Sequence, residues 1–183
     1  MGKTARADSR REKGNVAFIF AGILIILIFF VGLATDISMV LWHHNRLENT
    51  CQLVRDNRYT YQDTVRYSDN PAASFAQCAA TTLAVNGYNG KATVYFKEDD
   101  PQDNFRHFKV RLVLTDESSF YFLRLFGQDS VEISSQVDFE DSYGEKADDV
   151  VWRPSASALS FNGGYRIEGS KVTYLGSALP SDW

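Results

Sequence analysis

Reactive side chains are scarce in this 183-residue chain, which has three histidines and two cysteines. His43 and His44 are neighbours, and successive helical residues point about 100° apart, so the two are poorly placed to share a metal. With only His107 elsewhere, no metal site is expected. The Gly-x-Ser-x-Gly elbow, His-Glu-x-x-His, a Gly-rich phosphate loop and Cys-x-x-Cys are all missing. Nothing therefore points to catalysis, a cofactor or a small-molecule substrate. The basic surplus of a nucleic-acid binder is missing too, since the net charge is −4, and no nucleic-acid partner is expected. The acidic run Glu98-Asp99-Asp100-Pro101-Gln102-Asp103 lacks the spacing and the glycine of an EF-hand loop, and it reads as a solvated turn between strands. Asp138-Phe139-Glu140-Asp141 reads as a strand running into a loop.

The most informative absence is local. From Asn15 to Thr35 no residue is charged, a run of 21 positions. As a helix rising about 1.5 Å per residue it is roughly 32 Å long, against a bilayer hydrocarbon core of about 30 Å. The run is too long for a cleaved secretory signal, and Asp36-Ile37-Ser38-Met39 offers no small-x-small exit. It is apolar on every face, unlike the core helix of a modest soluble domain. A single membrane-spanning helix is expected over residues 15–41. Before it, Lys3, Arg6, Arg10, Arg11 and Lys13 outweigh Asp8 and Glu12, leaving +3 on residues 1–14 and −7 on the remainder. Basic residues flank the cytoplasmic end of a span. The expected topology is a cytoplasmic basic tail (1–14) that touches membrane lipid, one span in the cell membrane, and an extracytoplasmic domain from residue 42.

What surrounds this span resembles a known family. Arg10-Arg11, then Gly14-Asn15-Val16-Ala17, a span containing Gly32-Leu33-Ala34, Asp36, and an amphipathic continuation with Asn45-Arg46-Leu47 together resemble the N-terminal segment of the Tad-type (tight adherence) pilus proteins TadE, TadF and TadG. The resemblance covers roughly residues 10–60. It implies a non-enzymatic minor pilin or pilus-assembly subunit whose partners are other Tad pilus subunits and the inner-membrane assembly platform. Cleaved members carry Glu-Phe five residues after the glycine of the processing site. Aligning Gly14 places Ile19-Phe20 there, so the carboxylate is missing. Its absence is TadG-like and implies that the tail is kept and the span remains an anchor, whereas Val54–Tyr59 is more similar to TadF. A membrane-anchored binding or sensor module outside any filament is the competing class.

Asp36 stands at the outer end of the span. It is expected to be solvated among headgroups, the alternative being a pair with a basic group of a partner subunit. The helix is expected to continue to about Tyr61, with Val40, His44, Leu47, Cys51, Val54 and Tyr61 on one face. Asn70-Pro71 signals a second helix, Asn70 capping and Pro71 in its first turn, with Phe75, Ala79 and Leu83 inward and a stop at Asn86-Gly87. Cys51 and Cys78 lie on or near the apolar faces of these helices in an exported domain, so a Cys51–Cys78 disulfide is expected, the alternative being two buried free thiols.

Beyond Gly90 the period changes to two. Ala92, Val94 and Phe96, then Phe108, Val110, Leu112 and Leu114, then Val131, Ile133, Val137 and Phe139 alternate with polar residues. Three half-buried strands imply a mainly antiparallel sheet covered on one face by the helices, an α+β, pilin-like domain over residues 42–141. Between the second and third strands, Ser118–Gly127 reads as a short helix or buried turn capped by Ser119 and stopped by Gly127, the alternative being a strand. Its aromatics are expected in the core, the alternative being a contact patch for another subunit. Residues 142–183 read as a polar extension. A hairpin there is expected to turn at Asn162-Gly163-Gly164, with a further strand at Lys171–Tyr174 and with Trp152 and Trp183 as adhesive aromatics.

Overall fold

The computed structural model describes residues 4–102, 105–144 and 162–183, and the side chains of residues 16–98, 107–142 and 162–183. Helix α1 runs from Thr4 to Asn57 without a break. No proline interrupts it, so no amide is lost from its hydrogen-bond ladder. The hydroxyls of Thr35 and Ser38 donate back to the carbonyls of Val31 and Ala34, which leaves neither unsatisfied in an apolar setting. The large side chains from Val16 to Val31 are uncovered. This is one helix long and apolar enough to cross a membrane, near the N-terminus.

The chain divides into two compact units. One consists of residues 1–41 with Ser119–Val131, the other of Trp42–Ser118 with Glu132–Trp183. In the larger unit a 3-10 turn (Arg58–Tyr61) ends α1 and leads to α2 (Gln62–Arg66) and α3 (Pro71–Val85). Asn70 caps α3 as the sequence implies, its Oδ1 accepting from the Ala73 amide at 3.0 Å. Gly87, with φ of 70°, turns the chain out of the helix at a backbone angle that glycine adopts without strain.

Five strands follow: β1 (Lys91–Gln102), β2 (Phe105–Ser119), β3 (Ser130–Gly144), β4 (Asn162–Glu168) and β5 (Lys171–Gly176). They form one antiparallel sheet in the order β3-β2-β1-β4-β5. The registers Val94↔Leu112 and Val94↔Tyr165 set the inward residues of the three central strands side by side. The fold is α+β, with Ala92, Val94 and Phe96, Phe108 to Leu114 at alternate positions, and Ile133, Val137, Tyr165 and Ile167 buried. Leu47, Cys51 and Val54 of α1 are buried with them. Helix α3 lies against β4, β5 and β1. Its Phe75 ring meets those of Phe96, Phe108 and Phe139 at 6.1, 6.3 and 5.9 Å, and Phe96 stacks on Phe108 at 4.9 Å. Alternation thus becomes an aromatic centre because the pleat sends every second side chain to one face.

Several expectations are corrected. His44 is exposed and His43 half-buried, so the α1 stripe reduces to Leu47, Cys51 and Val54. The acidic run is strand up to Gln102, with an irregular register between Asp99 and Gln102. Asp103 lies outside the described residues, as do Trp152 and residues 159–161, which precede the expected hairpin turn. Asn162-Gly163-Gly164 is no turn: it is the start of β4, paired with Lys97, Phe96 and Tyr95. A Cβ on Gly163 would stand 2.7 Å from Tyr174, and one on Gly164 3.1 Å from Tyr95, so these glycines admit neighbouring rings rather than reverse the chain. The reversal comes at Gly169, with φ of 61°.

The C-terminal residues are also better attached than their polar composition suggests. On the opposite face of β2, Arg111 holds Asp138 through two bonds of 2.9 and 2.7 Å and Asp182 through one of 2.8 Å, with Trp183 at 5.8 Å from its guanidinium. A guanidinium fork suits two carboxylates at once, and Arg111 keeps the Asp182 carboxyl below its ordinary value. At the end of α1, Arg58 pairs with Asp141 of β3 and lies over the Phe139 ring at 5.5 Å.

Candidate functional site

The strongest constellation lies in the smaller unit, where the β2–β3 connection returns to the C-terminal end of the apolar run. Asp36 is completely buried, with 0% of its surface exposed. Its Oδ1 accepts from the amide of Tyr121 at 2.8 Å, its Oδ2 accepts from Leu123 at 2.7 Å, and both oxygens accept from Phe122, at 3.1 and 3.0 Å. Three successive N–H groups converge here because the next residues, Leu123–Phe126, form a 3-10 turn whose first amides have no partner of their own. Converging amides of this kind favour an anion. Asp36 is thus neither solvated nor paired with a base: it caps a loop 85 residues further along the chain.

The rest of the loop is arranged on the same helix. Phe122 and Phe126 meet the Phe29 ring at 5.5 and 6.0 Å and each other at 5.6 Å. Gly32 is one turn after Phe29, and a Cβ there would run into the Phe122 ring. Glycine in the apolar run therefore serves close approach. Gly127, in the left-handed region with φ of 83°, ends the turn as expected. The expected Ser119 cap is replaced by Asp36, because no side chain next to the turn caps it. Nor are the aromatics core. Tyr121, Leu125 and Phe126 are 69, 77 and 61% exposed.

The other predicted positions stand apart from this site. Gly14 lies within α1, and Ile19 is 55% exposed in the apolar run. Cys51 and Cys78 are both free thiols, so the expected disulfide is not formed. Cys51 is turned to the sheet, its thiol donating to the Ser135 carbonyl of β3 at 3.6 Å, while Cys78 lies outside the buried face of α3. Burial pushes the Cys51 thiol up to about 11 and raises that of Cys78 as well. The reactive species is the thiolate. At pH 8 an alkylating reagent is therefore expected to modify Cys78 at least about tenfold faster than Cys51 in the native protein. Peptide mass mapping checks this, and equal rates would contradict the burial of Cys51.

Two surface hollows belong to the larger unit. The first, about 410 Å³, is lined by Trp42, Asn45, Arg46, Asn49, Thr50, Leu53 and Asn86. The second, about 210 Å³, includes His43, Tyr88 and Asp116. The first is open and lined by three asparagines, and the second is more enclosed. Among the described residues no three His, Cys, Asp or Glu side chains are grouped to hold a metal.

Sequence reasoning missed the Asp36 contact because its donors are backbone amides, which no side-chain pattern announces. The available signals were a lone acid at the end of the apolar run, a glycine one turn after a phenylalanine within it, and an aromatic run ending in glycine.

Comparison with known proteins finds a family match. Residues 14–54 fit the family described as putative Flp pilus-assembly TadE/G-like. The matched segment contains Gly14, Ile19, Asp36 and Cys51, and it agrees with the resemblance read from the sequence. No curated protein matches the chain. No solved structure matches it either.

Proposed function

We propose, from the TadE/G-like match over residues 14–54, that this chain is a non-enzymatic, single-pass, membrane-anchored subunit of a Tad-type pilus assembly. The matched segment coincides with the apolar run and its amphipathic continuation. That coincidence carries the reading, because an anchor that extends into a domain is the arrangement a pilin-like subunit needs. In this reading the basic tail is cytoplasmic, the α+β domain is extracytoplasmic, and the partners are other pilus subunits and the assembly platform. Ile19 stands where processed relatives carry an acid, so the tail is retained and the protein acts as a minor or tip-complex component.

Deleting the gene is expected to reduce surface pili by about tenfold or more, with recovery on supplying the full chain. Undiminished piliation would overturn the assembly role. A reporter active only outside the cytoplasm, joined after Trp183, is expected to be active, and activity of a cytoplasmic reporter at that site would overturn the orientation. In the same cells, with prepilin peptidase present, the intact mass is expected to include the tail. A chain beginning at Asn15 would refute retention.

A further inference from the structure

We propose that the loop Phe120–Gly127 is a second membrane contact, seated in the outer acyl-chain and headgroup boundary of a phospholipid bilayer beside the span. The inference rests on the membrane-anchored reading given above. Its first support is position. The loop's rings touch Phe29 and Gly32, inside the run that carries no charge. Phe29 precedes Asp36 by seven residues, about 10 Å along a helix axis at 1.5 Å per residue. That depth matches the roughly 5–10 Å to which interfacial elements sink their apolar sides. A loop packed on that stretch of helix meets the same lipid as the helix does.

The second support is chemistry. Tyr121, Leu125 and Phe126 keep most of their surface uncovered, as do the large side chains of the apolar run from Val16 to Val31. Tyrosine suits the membrane interface, and phenylalanine and leucine suit the apolar side of an interfacial element.

The third support is backbone accounting. Irregular chain in contact with lipid needs its polar groups satisfied internally. Here the Phe120 amide donates to the Asp129 carbonyl, and the amides of Tyr121, Phe122 and Leu123 donate to Asp36. The amides of Leu125, Gly127 and Gln128 donate to the carbonyls of Phe122, Arg124 and Leu123. The one charged side chain of the loop, Arg124, is exposed and paired at 3.3 Å with Asp129 just beyond it, a pair that headgroups tolerate. This gives Asp36 a defined role, because its buried carboxylate supplies the acceptors that bulk water would otherwise provide.

The test uses the full chain in phosphatidylcholine vesicles, in a Cys51→Ala, Cys78→Ala background. A fluorophore is placed through Leu125→Cys in the loop, Ile23→Cys in the span or Glu168→Cys on β4. Lipids carrying a nitroxide high on the acyl chain are expected to quench the Leu125 label at least twofold more than the Glu168 label. Aqueous iodide is expected to do the reverse. Lipid quenching at Ile23 together with iodide quenching at Leu125 would overturn the inference and leave the membrane reading intact. A Leu125 label shielded from both quenchers would mean that a protein surface covers the loop, which also overturns it. Absence of lipid quenching at both Ile23 and Leu125 would overturn the inference and the membrane reading together.

Discussion

Asp36→Ala is expected to release the β2–β3 connection from α1. The side chain accepts from three consecutive amides, and the residue is completely buried. Hydrogen bonds to an ionised group are about twice as strong as neutral ones. Alanine removes every acceptor at once and leaves three amides at the start of a turn without partners. The Phe29–Phe122–Phe126 contacts remain but lose the element that orients them. Opening of the loop is expected to become more favourable by on the order of a hundredfold. Hydrogen exchange on the full chain in lipid nanodiscs reads this directly. The amides of Tyr121, Phe122 and Leu123 are expected to exchange about a hundredfold faster, with those in β1 unchanged. Asp36→Asn is expected to fall between, because one carboxamide oxygen keeps part of the acceptor set while its NH2 faces donors. Wild-type exchange in Asp36→Ala would show that the rings, not the carboxylate, hold the loop.

Phe96→Ala is expected to be the most damaging change in the sheet. Phe96 is fully buried, stacks on Phe108 and meets Phe75 of α3. It therefore joins the central strand, its neighbour β2 and the covering helix. A buried phenylalanine reduced to alanine costs about 3–5 kcal/mol, the higher end applying where the surroundings cannot close the void. Here closure is hindered on two sides, by the strand pairings Phe96↔Val110 and Phe96↔Gly163. Gly163 brings no side chain to fill the space. Cys51 is a built-in reporter, since its thiol is buried in the native unit. The urea concentration at which Cys51 becomes alkylated is expected to fall well below that of the wild type. Thr93→Ala, in the same strand but outside the buried set, is expected to shift it by less than about 1 kcal/mol equivalent. Equal midpoints for the two variants would mean that the aromatic centre does not govern the domain's stability.

How far the chain was legible differs from element to element. The caps of α3 were readable because Asn70, Pro71 and Gly87 act on backbone within a few residues of themselves. The three central strands were readable because a period of two is imposed by the pleat wherever one face is buried. Gly163 and Gly164 misled because glycine permits both a reversal and a close approach. Which applies depends on whether Tyr174 and Tyr95 stand opposite, and those neighbours are fixed by pairing with β5 and β1. Arg111 gave no signal as one more charge on a polar face, yet it holds carboxylates from β3 and from the C-terminal segment. Cys51 and Cys78 illustrate the same limit, since sharing apolar helix faces did not bring their sulfurs together: Cys51 found a β3 carbonyl instead.

By itself the amino-acid sequence determined the uncharged run, its helical continuation, the asymmetry of charge around it and the alternation of the strands. Each is a local periodic property, set by a few neighbouring residues and by the geometry of one element. Only the tertiary structure decided what Asp36 does and which way the Phe120–Gly127 loop faces. The partners in that contact are backbone amides and rings 85 to 97 residues away from Asp36 and Phe29. An acid at a helix end is equally compatible with water, a lysine or a set of amides, and folding selects among them by which donors it brings within about 3 Å.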